Sequence, residues 1–89
     1  MHNNIHLEIY IDRNCPNCET SVDLASWVRK NFPGLSIKVI DIAHPTGKIP
    51  ETVYAVPTYL LDGEIISLGN PARHDLRLRI EEGLDSADR

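Results

Sequence analysis

The first half of the chain changes its apolar period twice, and this change restricts the possible folds more than any other feature of the sequence. Residues 5–11 alternate between apolar and polar, which is the period of two typical of a strand. Between residues 18 and 32 the apolar positions recur at intervals of three and four, as in an amphipathic helix, and residues 35–42 are again β-rich. A strand, a helix and a second strand joined this closely predict a right-handed crossover with the two strands parallel. The apolar faces are Ile5, Leu7, Ile9 and Ile11 for the strand, and Val22, Ala25, Val28 and Phe32, flanked by Leu24 and Trp27, for the helix.

The second half of the chain contains a hairpin signal. Asp62-Gly63 separates two apolar runs, residues 58–61 and 64–68, and Asp-Gly in this position is typical of a tight β-turn. Asn70-Pro71 follows, and these residue types favour the N-cap and the first position of a helix. The inward face of that helix is predicted to be Ala72, Leu76 and Ile80, and its solvated, self-paired face Arg73, Arg77 and Arg79.

The predicted elements combine into one architecture. With a short helical turn at residues 49–54, opened by Pro50, their order is β-α-β-α-β-β-α. The crossover supplies parallel strands and the hairpin adds antiparallel ones, so the predicted fold class is α/β, with a mixed four-stranded sheet flanked by helices. The 89 residues are enough for a single domain, residues 1–89, of which residues 85–89 are predicted to form a frayed polar tail.

Charge and hydropathy exclude several classes of protein. Nine Lys and Arg against thirteen Asp and Glu leave a net charge of −4, which argues against a nucleic-acid-binding surface. No apolar run approaches the roughly 20 residues that a membrane span requires. The segment Met1–Asn4 lacks the basic and apolar regions of a signal peptide, so we expect a cytoplasmic protein.

Two cysteines, Cys15 and Cys18, form a Cys-Pro-Asn-Cys motif between the first strand and the first helix. A loop this short gains little chain entropy from a structural disulfide, so in a reducing compartment such a pair is more often catalytic or metal-binding. At a helix start the unpaired N–H groups and the macrodipole favour a thiolate. We therefore predict that Cys15, at the helix entrance, is the nucleophile in thiol–disulfide exchange and that Cys18 resolves the mixed disulfide. Arg13 would favour the thiolate and Asp12 would oppose it, and the sequence leaves open which of them is nearer.

Two other interpretations of the cysteine pair stay open on the residues alone. The pair could lie reduced at a helix start without any role. It could also bind a soft metal, but structural zinc takes four thiolate or imidazole ligands, and His2 and His6 would have to complete the set. Both histidines are more simply surface residues. Apart from the redox-active pair itself, no metal or other cofactor is predicted.

The segment Val56-Pro57-Thr58 lies at the start of a predicted strand, 42 residues after Cys15. Proline fits only at the start or the edge of a strand, and its simplest interpretation is a loop proline. Together with the Cys-x-x-Cys motif and the order of elements, however, the segment resembles the thioredoxin superfamily, in particular its small glutaredoxin-like members. The resemblance covers nearly the whole chain. It implies a cis bond between Val56 and Pro57, and it implies that these two residues form the wall beside Cys15 against which an extended substrate lies.

The same resemblance implies the reaction and its partners. It implies a thiol–disulfide oxidoreductase with a Cys15–Cys18 disulfide as its redox group, acting on protein or small-molecule disulfides and re-reduced by an unidentified reductase. Glutaredoxins hold glutathione with a Gly-Gly pair followed by an acid, whereas residues 68–71 here provide one Gly and no acid. We therefore predict no dedicated glutathione pocket. The protein is also expected to be a monomer that binds neither nucleic acid nor membrane.

A second resemblance belongs to a different class of protein. Cys15 and Cys18, followed by Ser21-Val22 and Ala25, are also similar to the metal loop of heavy-metal-associated domains, which carry copper(I) on soft thiolates. That family has a hairpin directly after the first helix. A defined two-electron potential would indicate the redox protein, whereas tight copper(I) binding without reductase activity would indicate the carrier.

Overall fold

The structure is a computed structural model that describes residues 5–87. These residues form four strands and two helices, in the predicted order except for the short helical turn before the hairpin. In chain order the elements are β1 (His6–Ile11), α1 (Cys18–Asn31), β2 (Ser36–Asp41), β3 (Thr58–Leu61), β4 (Glu64–Leu68) and α2 (Arg73–Ala87).

The four strands form one sheet in the order β2-β1-β3-β4. Strand β1 pairs with β2 in parallel, from His6 opposite Ser36 to Ile11 opposite Asp41, which confirms the predicted crossover. Strand β3 pairs antiparallel with both β1 and β4, so the sheet is mixed as predicted. The ends of β1, β2 and β4 and the start of β3 therefore meet at one edge of the sheet.

The hairpin between β3 and β4 turns at Asp62-Gly63, as the sequence predicts. Both residues have positive φ angles, 51° and 85°, which is the geometry of two-residue turns that match the twist of a hairpin. The pairing register shifts between Tyr59 and Leu60, which indicates a bulge in this pair of strands.

Helix α1 buries a face that differs from the predicted one. Val22, which was expected to point inward, is 45% exposed. The face that packs inward still has the normal helical period, but it includes a serine and a cysteine, which a search for large apolar residues passes over. The buried residues of α1 are Cys18, Ser21, Leu24, Ala25 and Val28.

Residues 49–54 form a turn rather than the predicted short helix. One hydrogen bond, from the N–H of Val53 to the carbonyl of Pro50 (3.0 Å), closes the turn. A proline supplies no donor, and the β-branched Thr52 and Val53 lose side-chain freedom in a helix. So short a segment does not meet the cost of a helical nucleus.

Helix α2 differs from the prediction at both ends. It begins at Arg73, which leaves Ala72 exposed and outside the helix, and it continues to Ala87 through most of the predicted frayed tail. The last two residues of that tail, 88 and 89, lie outside the described residues. The other two predicted inward residues, Leu76 and Ile80, are buried.

Helix α2 meets the rest of the protein closely at two places. At Gly83 a Cβ atom would lie 2.7 Å from Cδ2 of Leu61, so the glycine permits the helix to approach β3. The guanidinium groups of Arg73 and Arg77 lie 5.6 and 5.2 Å from the centroid of the Trp27 ring on α1. Two of the three arginines that were expected on a solvated, self-paired face therefore make cation–π contacts between the helices.

One cluster of buried side chains joins β1, α1, β3 and α2, and Trp27 packs against it as predicted. Its members are Ile5, Leu7, Ile9, Ile11, Cys18, Leu24, Ala25, Val28, Tyr59, Leu61, Leu76 and Ile80. Within residues 5–87, neither helix has the length and apolar character needed to cross a membrane.

Candidate functional site

The cysteine loop joins the end of β1 to the start of α1, as predicted. The N–H of Cys15 donates to the carbonyl of Asp12 (2.8 Å), and the N–H of Cys18 donates to the carbonyl of Cys15 (3.1 Å). The Asp12 carboxylate accepts the N–H of Asn14 at 2.9 Å, which gives the loop an Asx turn. Cys18 is the first residue of α1 and Asn17 is its N-cap, so Cys15 lies in the turn that precedes the helix.

The two thiols differ in exposure in the sense that the sequence predicts. Both are free; Cys15 is half-buried, whereas Cys18 is only 3% exposed. Burial raises the pKa of the Cys18 thiol above its ordinary value, and its hydrogen bond with Cys15 acts in the same direction. The N–H of Asp12, which donates to Cys18 Sγ at 3.4 Å, opposes this rise in the pKa. Cys18 is therefore the thiol that keeps its proton, while Cys15 is the thiol that solvent can reach.

The charged neighbours of the motif have different partners. Arg13 Nε lies 3.2 Å from Oδ2 of Asp41 at the end of β2, so its guanidinium is paired with a carboxylate. Asp12 contacts Cys18 directly, and while its N–H lowers the pKa of that thiol, its negative charge raises it. Asp12 is thus in contact with Cys18 through its main-chain N–H, whereas Arg13 lines the same hollow as Cys15.

Val56 and Pro57 lie at the sheet edge from which the cysteine loop emerges. The peptide bond between them is cis, as the resemblance implied. Thr58, the first residue of β3, is paired with Tyr10, and this register puts Pro57 level with the last residue of β1. Pro57 is buried and Val56 is half-buried. Contact of these residues with the cysteines or with a substrate stays a prediction.

Asn70 connects β3 to the start of α1. Its Nδ2 donates to the carbonyl of Asn17 at 2.8 Å, and its Oδ1 accepts the hydroxyls of Ser21 (2.6 Å) and Tyr59 (2.7 Å). The prediction that Asn70 is the N-cap of α2 is therefore wrong. Its side chain satisfies polar groups of other elements, three residues before α2 begins at Arg73.

Gly69, the residue before Asn70, bonds to the Val56-Pro57 segment. The N–H of Gly69 donates to the carbonyl of Pro57 at 2.7 Å. Gly69 has a φ angle of 88°, in the left-handed region that glycine adopts without steric cost. The Gly69-Asn70 dipeptide therefore links the Val56-Pro57 segment to the cysteine motif.

The two tyrosines near the site have different environments. Tyr59 is fully buried, and this burial raises the pKa of its phenol. The charge of Cys18 also raises this pKa, whereas the hydrogen bond with Ser21 lowers it. Tyr54, three residues before Pro57, is 78% exposed. The structure thus places Tyr59 in the core and Tyr54 at the surface.

A shallow hollow of about 320 Å³ opens beside the cysteine pair, and the exposed Val22 forms part of its lining. Two larger hollows, of about 480 and 610 Å³, lie between β4 and α2, and neither has a thiol in its lining. The reactive groups, rather than the volume, therefore identify the smaller one as the candidate site. Its lining residues are Ile11, Arg13, Cys15, Pro16, Cys18, Glu19 and Val22.

The metal-binding interpretation finds little support in the described part of the chain. No three His, Cys, Asp or Glu side chains of residues 5–87 are grouped so that they could hold an ion. His2, which the zinc hypothesis needed, lies outside the described residues, and His6 is exposed at the opposite end of β1 from the cysteine loop. Helix α1 leads into the parallel strand β2 rather than into the hairpin expected of a copper carrier.

Sequence reasoning missed the contribution of Ser21 and Asn70. The position of Ser21 contains a usable signal, because it follows Cys18 by three residues and so shares its face of the helix. No local pattern connects Asn70 with Asn17, because 53 positions separate them along the chain.

Comparisons with known proteins agree with this arrangement. Residues 5–81 match the model of a family described as Thioredoxin domain. The X-ray structure of thioredoxin from Fasciola hepatica has a TM-score of 0.72 and 17% identity, over 89% of this chain and 80% of that one, and this likeness shows the fold alone. A protein of Ferdinandcohnia aciditolerans named NADH dehydrogenase is 29% identical over 84 residues, which are 93% of this chain and 16% of that protein. The chain thus spans about a sixth of the length of this relative.

Proposed function

Because the chain belongs to the thioredoxin-domain family, we propose that it is a thiol–disulfide oxidoreductase whose redox group is the Cys15–Cys18 pair. In this proposal Cys15 attacks the substrate disulfide and Cys18 resolves the mixed disulfide that forms. The observation that carries it is the contrast between two free thiols at one helix start, one accessible and one 3% exposed.

The proposed reaction consists of two exchanges. The Cys15 thiolate attacks one sulfur of a substrate disulfide, whose S–S bond breaks as a mixed disulfide forms and the first substrate thiolate leaves. Cys18, after losing its proton, attacks Sγ of Cys15; the mixed disulfide breaks and the second substrate thiolate leaves. Two electrons pass from the pair to the substrate, and the two protons of the pair end on the two product thiols.

The surroundings of the pair support this order of events. N–H groups in the first turn of α1 and the helix macrodipole stabilise negative charge nearby by about 0.3–1 kcal/mol. The raised pKa of Cys18 keeps that thiol protonated and less reactive until the mixed disulfide has formed.

Single cysteine replacements test the two roles. Cys15→Ser is expected to abolish the reduction of insulin disulfides, because no thiolate remains to start the reaction. Cys18→Ser is expected to keep the first attack and to accumulate mixed disulfides, because nothing resolves them. Non-reducing electrophoresis, followed by mass spectrometry of the Cys15 adduct, measures the trapped fraction.

The control for these variants is Ser26→Ala on the exposed side of α1, which is expected to retain the activity of the unmodified protein. Equal trapping by both cysteine variants would show that the roles are assigned incorrectly. Failure of the unmodified protein to form an intrachain disulfide under any oxidant would contradict the proposed function itself.

Val56 and Pro57 are the proposed substrate-binding residues. An extended segment of a protein or small-molecule disulfide would lie along them, beside Cys15. Their position level with the end of β1, at the edge that carries the cysteine loop, supports this arrangement.

Glutathione is not expected to be a specific partner. No acid follows Gly69, and the Asn70 side chain is hydrogen-bonded to Asn17, Ser21 and Tyr59. In an assay coupled to glutathione reductase, turnover is expected to rise without saturation as glutathione increases. Saturation at physiological concentrations would reveal a dedicated pocket.

The electron donor in our proposal is a reductase that uses NADH. The support is the relative named NADH dehydrogenase, of which this chain matches a part. The proposed setting is the cytoplasm, where thiols are kept reduced, and the proposed state is a monomer. The midpoint potential of the pair tests the donor: a value below that of the nicotinamide couple would exclude NADH as a useful source.

A further inference from the structure

We propose that Asn70 is a positioning residue for the resolving cysteine: it holds the carbonyl of Asn17, the residue joined to Cys18, and so fixes Cys18 Sγ for its attack on the mixed disulfide at Cys15. The inference rests on the thiol–disulfide function proposed above. It adds to that function a residue 52 positions after Cys18, on the loop between β4 and α2.

The hydrogen bonds of Asn70 determine which way its amide faces. Two buried hydroxyls, of Ser21 and Tyr59, donate to Oδ1 at 2.6 and 2.7 Å. Because only the oxygen of an amide accepts hydrogen bonds, these two donors turn the NH₂ group towards Asn17, whose carbonyl accepts at 2.8 Å. Ser21 and Tyr59 are fully buried, which favours the bonds from their hydroxyls to Oδ1, whereas the bond to the Asn17 carbonyl lies at the surface.

The start of α1 has a contact with Asn70 and no side-chain cap of its own. Its N-cap, Asn17, makes no hydrogen bond from its own side chain to the helix. The usual local device that orders a first turn is therefore missing. Asn70 supplies an external bond at the peptide group that carries Cys18.

Both cysteines contact Asp12, and Cys18 also bonds to Cys15, but Asn70 bonds only to the peptide group that precedes Cys18. The main chain of Cys15 is fixed by Asp12, through the bond from the Cys15 N–H to the Asp12 carbonyl. The main chain of Cys18 is held by its own N–H, which donates to the carbonyl of Cys15, and through Asn17 by the amide of Asn70. Loss of the amide should therefore disturb the resolving sulfur and leave the attacking sulfur nearly unchanged.

A two-step chromogenic reaction measures this difference. The reduced protein is mixed with excess dithiobis(nitrobenzoate) in a stopped-flow spectrometer. Attack by Cys15 releases one nitrothiolate at a rate that depends on reagent concentration, and attack by Cys18 on the mixed disulfide releases the second at a rate that does not. In Asn70→Ala the second rate is expected to fall about tenfold, while the first stays within about twofold of the unmodified protein.

A matched control exists on the same helix. Asn31, near the other end of α1, also donates from Nδ2 to a main-chain carbonyl, that of Trp27, at 2.8 Å. Asn31→Ala removes the same kind of bond far from the cysteines and is expected to change neither rate. Asn70→Asp, which keeps the size and the oxygen acceptors but loses the donor, is the second test variant and is expected to slow the second step as Asn70→Ala does.

The outcomes separate this inference from the function on which it rests. An unchanged second rate in both Asn70 variants, or an equal loss in Asn31→Ala, would overturn the positioning role while the function stands. A second phase in the unmodified protein that depends on reagent concentration would mean that the cysteines react independently, which would overturn both. If Asn70→Ala fails to fold, the rate ratio in Asn70→Asp decides.

Discussion

At the scale of single residues, the chemistry of the site depends on what surrounds each sulfur. Cys18 is removed from water by the core, and its Sγ accepts a hydrogen bond from the N–H of Asp12. Cys15, three residues earlier, remains accessible beside a shallow hollow. One motif thus contains a thiol that can be reached and a thiol that is protected, and burial rather than residue type makes the difference.

The raised pKa of Cys18 predicts how stability changes with pH. At a pH below the ordinary thiol value both the folded and the unfolded chain hold this proton, and the contribution to stability is complete. As the pH rises, the unfolded chain loses the proton first, so the free energy of unfolding falls until the folded thiol also ionises. Urea unfolding of the reduced protein between about pH 7 and pH 10 is expected to show this decline.

The comparison variant for this measurement is Cys18→Ala, whose decline over the same range should be shallower. The pKa values of Tyr10 and Tyr59 are also raised by burial, and they add a further decline at the upper end in both proteins. Parallel curves for the two proteins would contradict the assignment of the effect to Cys18.

At the scale of elements, the loop between β4 and α2 decides how the two halves of the site are joined. Gly69 bonds to the carbonyl of Pro57, and Asn70 bonds to that of Asn17. Two adjacent residues can face in these two directions because Gly69 has a φ angle of 88°. A residue with a Cβ atom is strained in this conformation.

Gly69→Ala is therefore expected to lower the free energy of unfolding by roughly 1 kcal/mol or more. The added Cβ meets no atom within 4 Å, so the loss comes from the backbone angle and not from a clash. Gly34→Ala is the control, because its site is equally open and its φ is not positive. Denaturant unfolding of both variants checks this; a neutral Gly69→Ala would show that the loop adjusts freely.

At the scale of the whole molecule, sheet topology gathers the site from distant parts of the chain. The parallel pairing of β1 and β2 and the antiparallel pairing of β3 and β4 bring residues 12–18, Asp41, residues 56–57 and residues 69–70 to one edge. The two helices are joined through Trp27, which two arginines of α2 cover. These cation–π contacts hold α2 against α1, and with it the end of the loop between β4 and α2 that contains Asn70.

Arg77→Ala is expected to destabilise the protein by about 1–2 kcal/mol, since Arg77 lies over both Trp27 and Phe32 and donates to Asn31 Oδ1 at 3.3 Å. Trp27 is the single tryptophan, so its fluorescence reports the unfolding transition. Arg79→Ala, at an exposed position of the same helix, should change stability by less than about 0.5 kcal/mol. Equal effects of the two variants would indicate that the ring contacts contribute nothing specific.

Local patterns in the sequence were sufficient for most of the elements and for the position of the cysteine motif. The alternation of residues 5–11 and the Asp62-Gly63 turn each depend on neighbours along the chain, and both were predicted correctly. The cysteine motif could be placed between a strand and a helix for the same reason. The cis bond at Pro57 came from the resemblance to a family and not from any local signal.

Only the tertiary structure decided which side chains the core uses and how the site is held. On α1 Ser21 is buried and Val22, which was expected to point inward, is exposed, because the packing of the helix and not the size of each residue sets the buried face. Asn70 is a residue type that favours helix caps, but its side chain bonds to Asn17, Ser21 and Tyr59, and the helix that follows begins only at Arg73. Hydrogen bonds between residues some fifty positions apart leave no trace in a local pattern, because they form only when the sheet has brought its strands together.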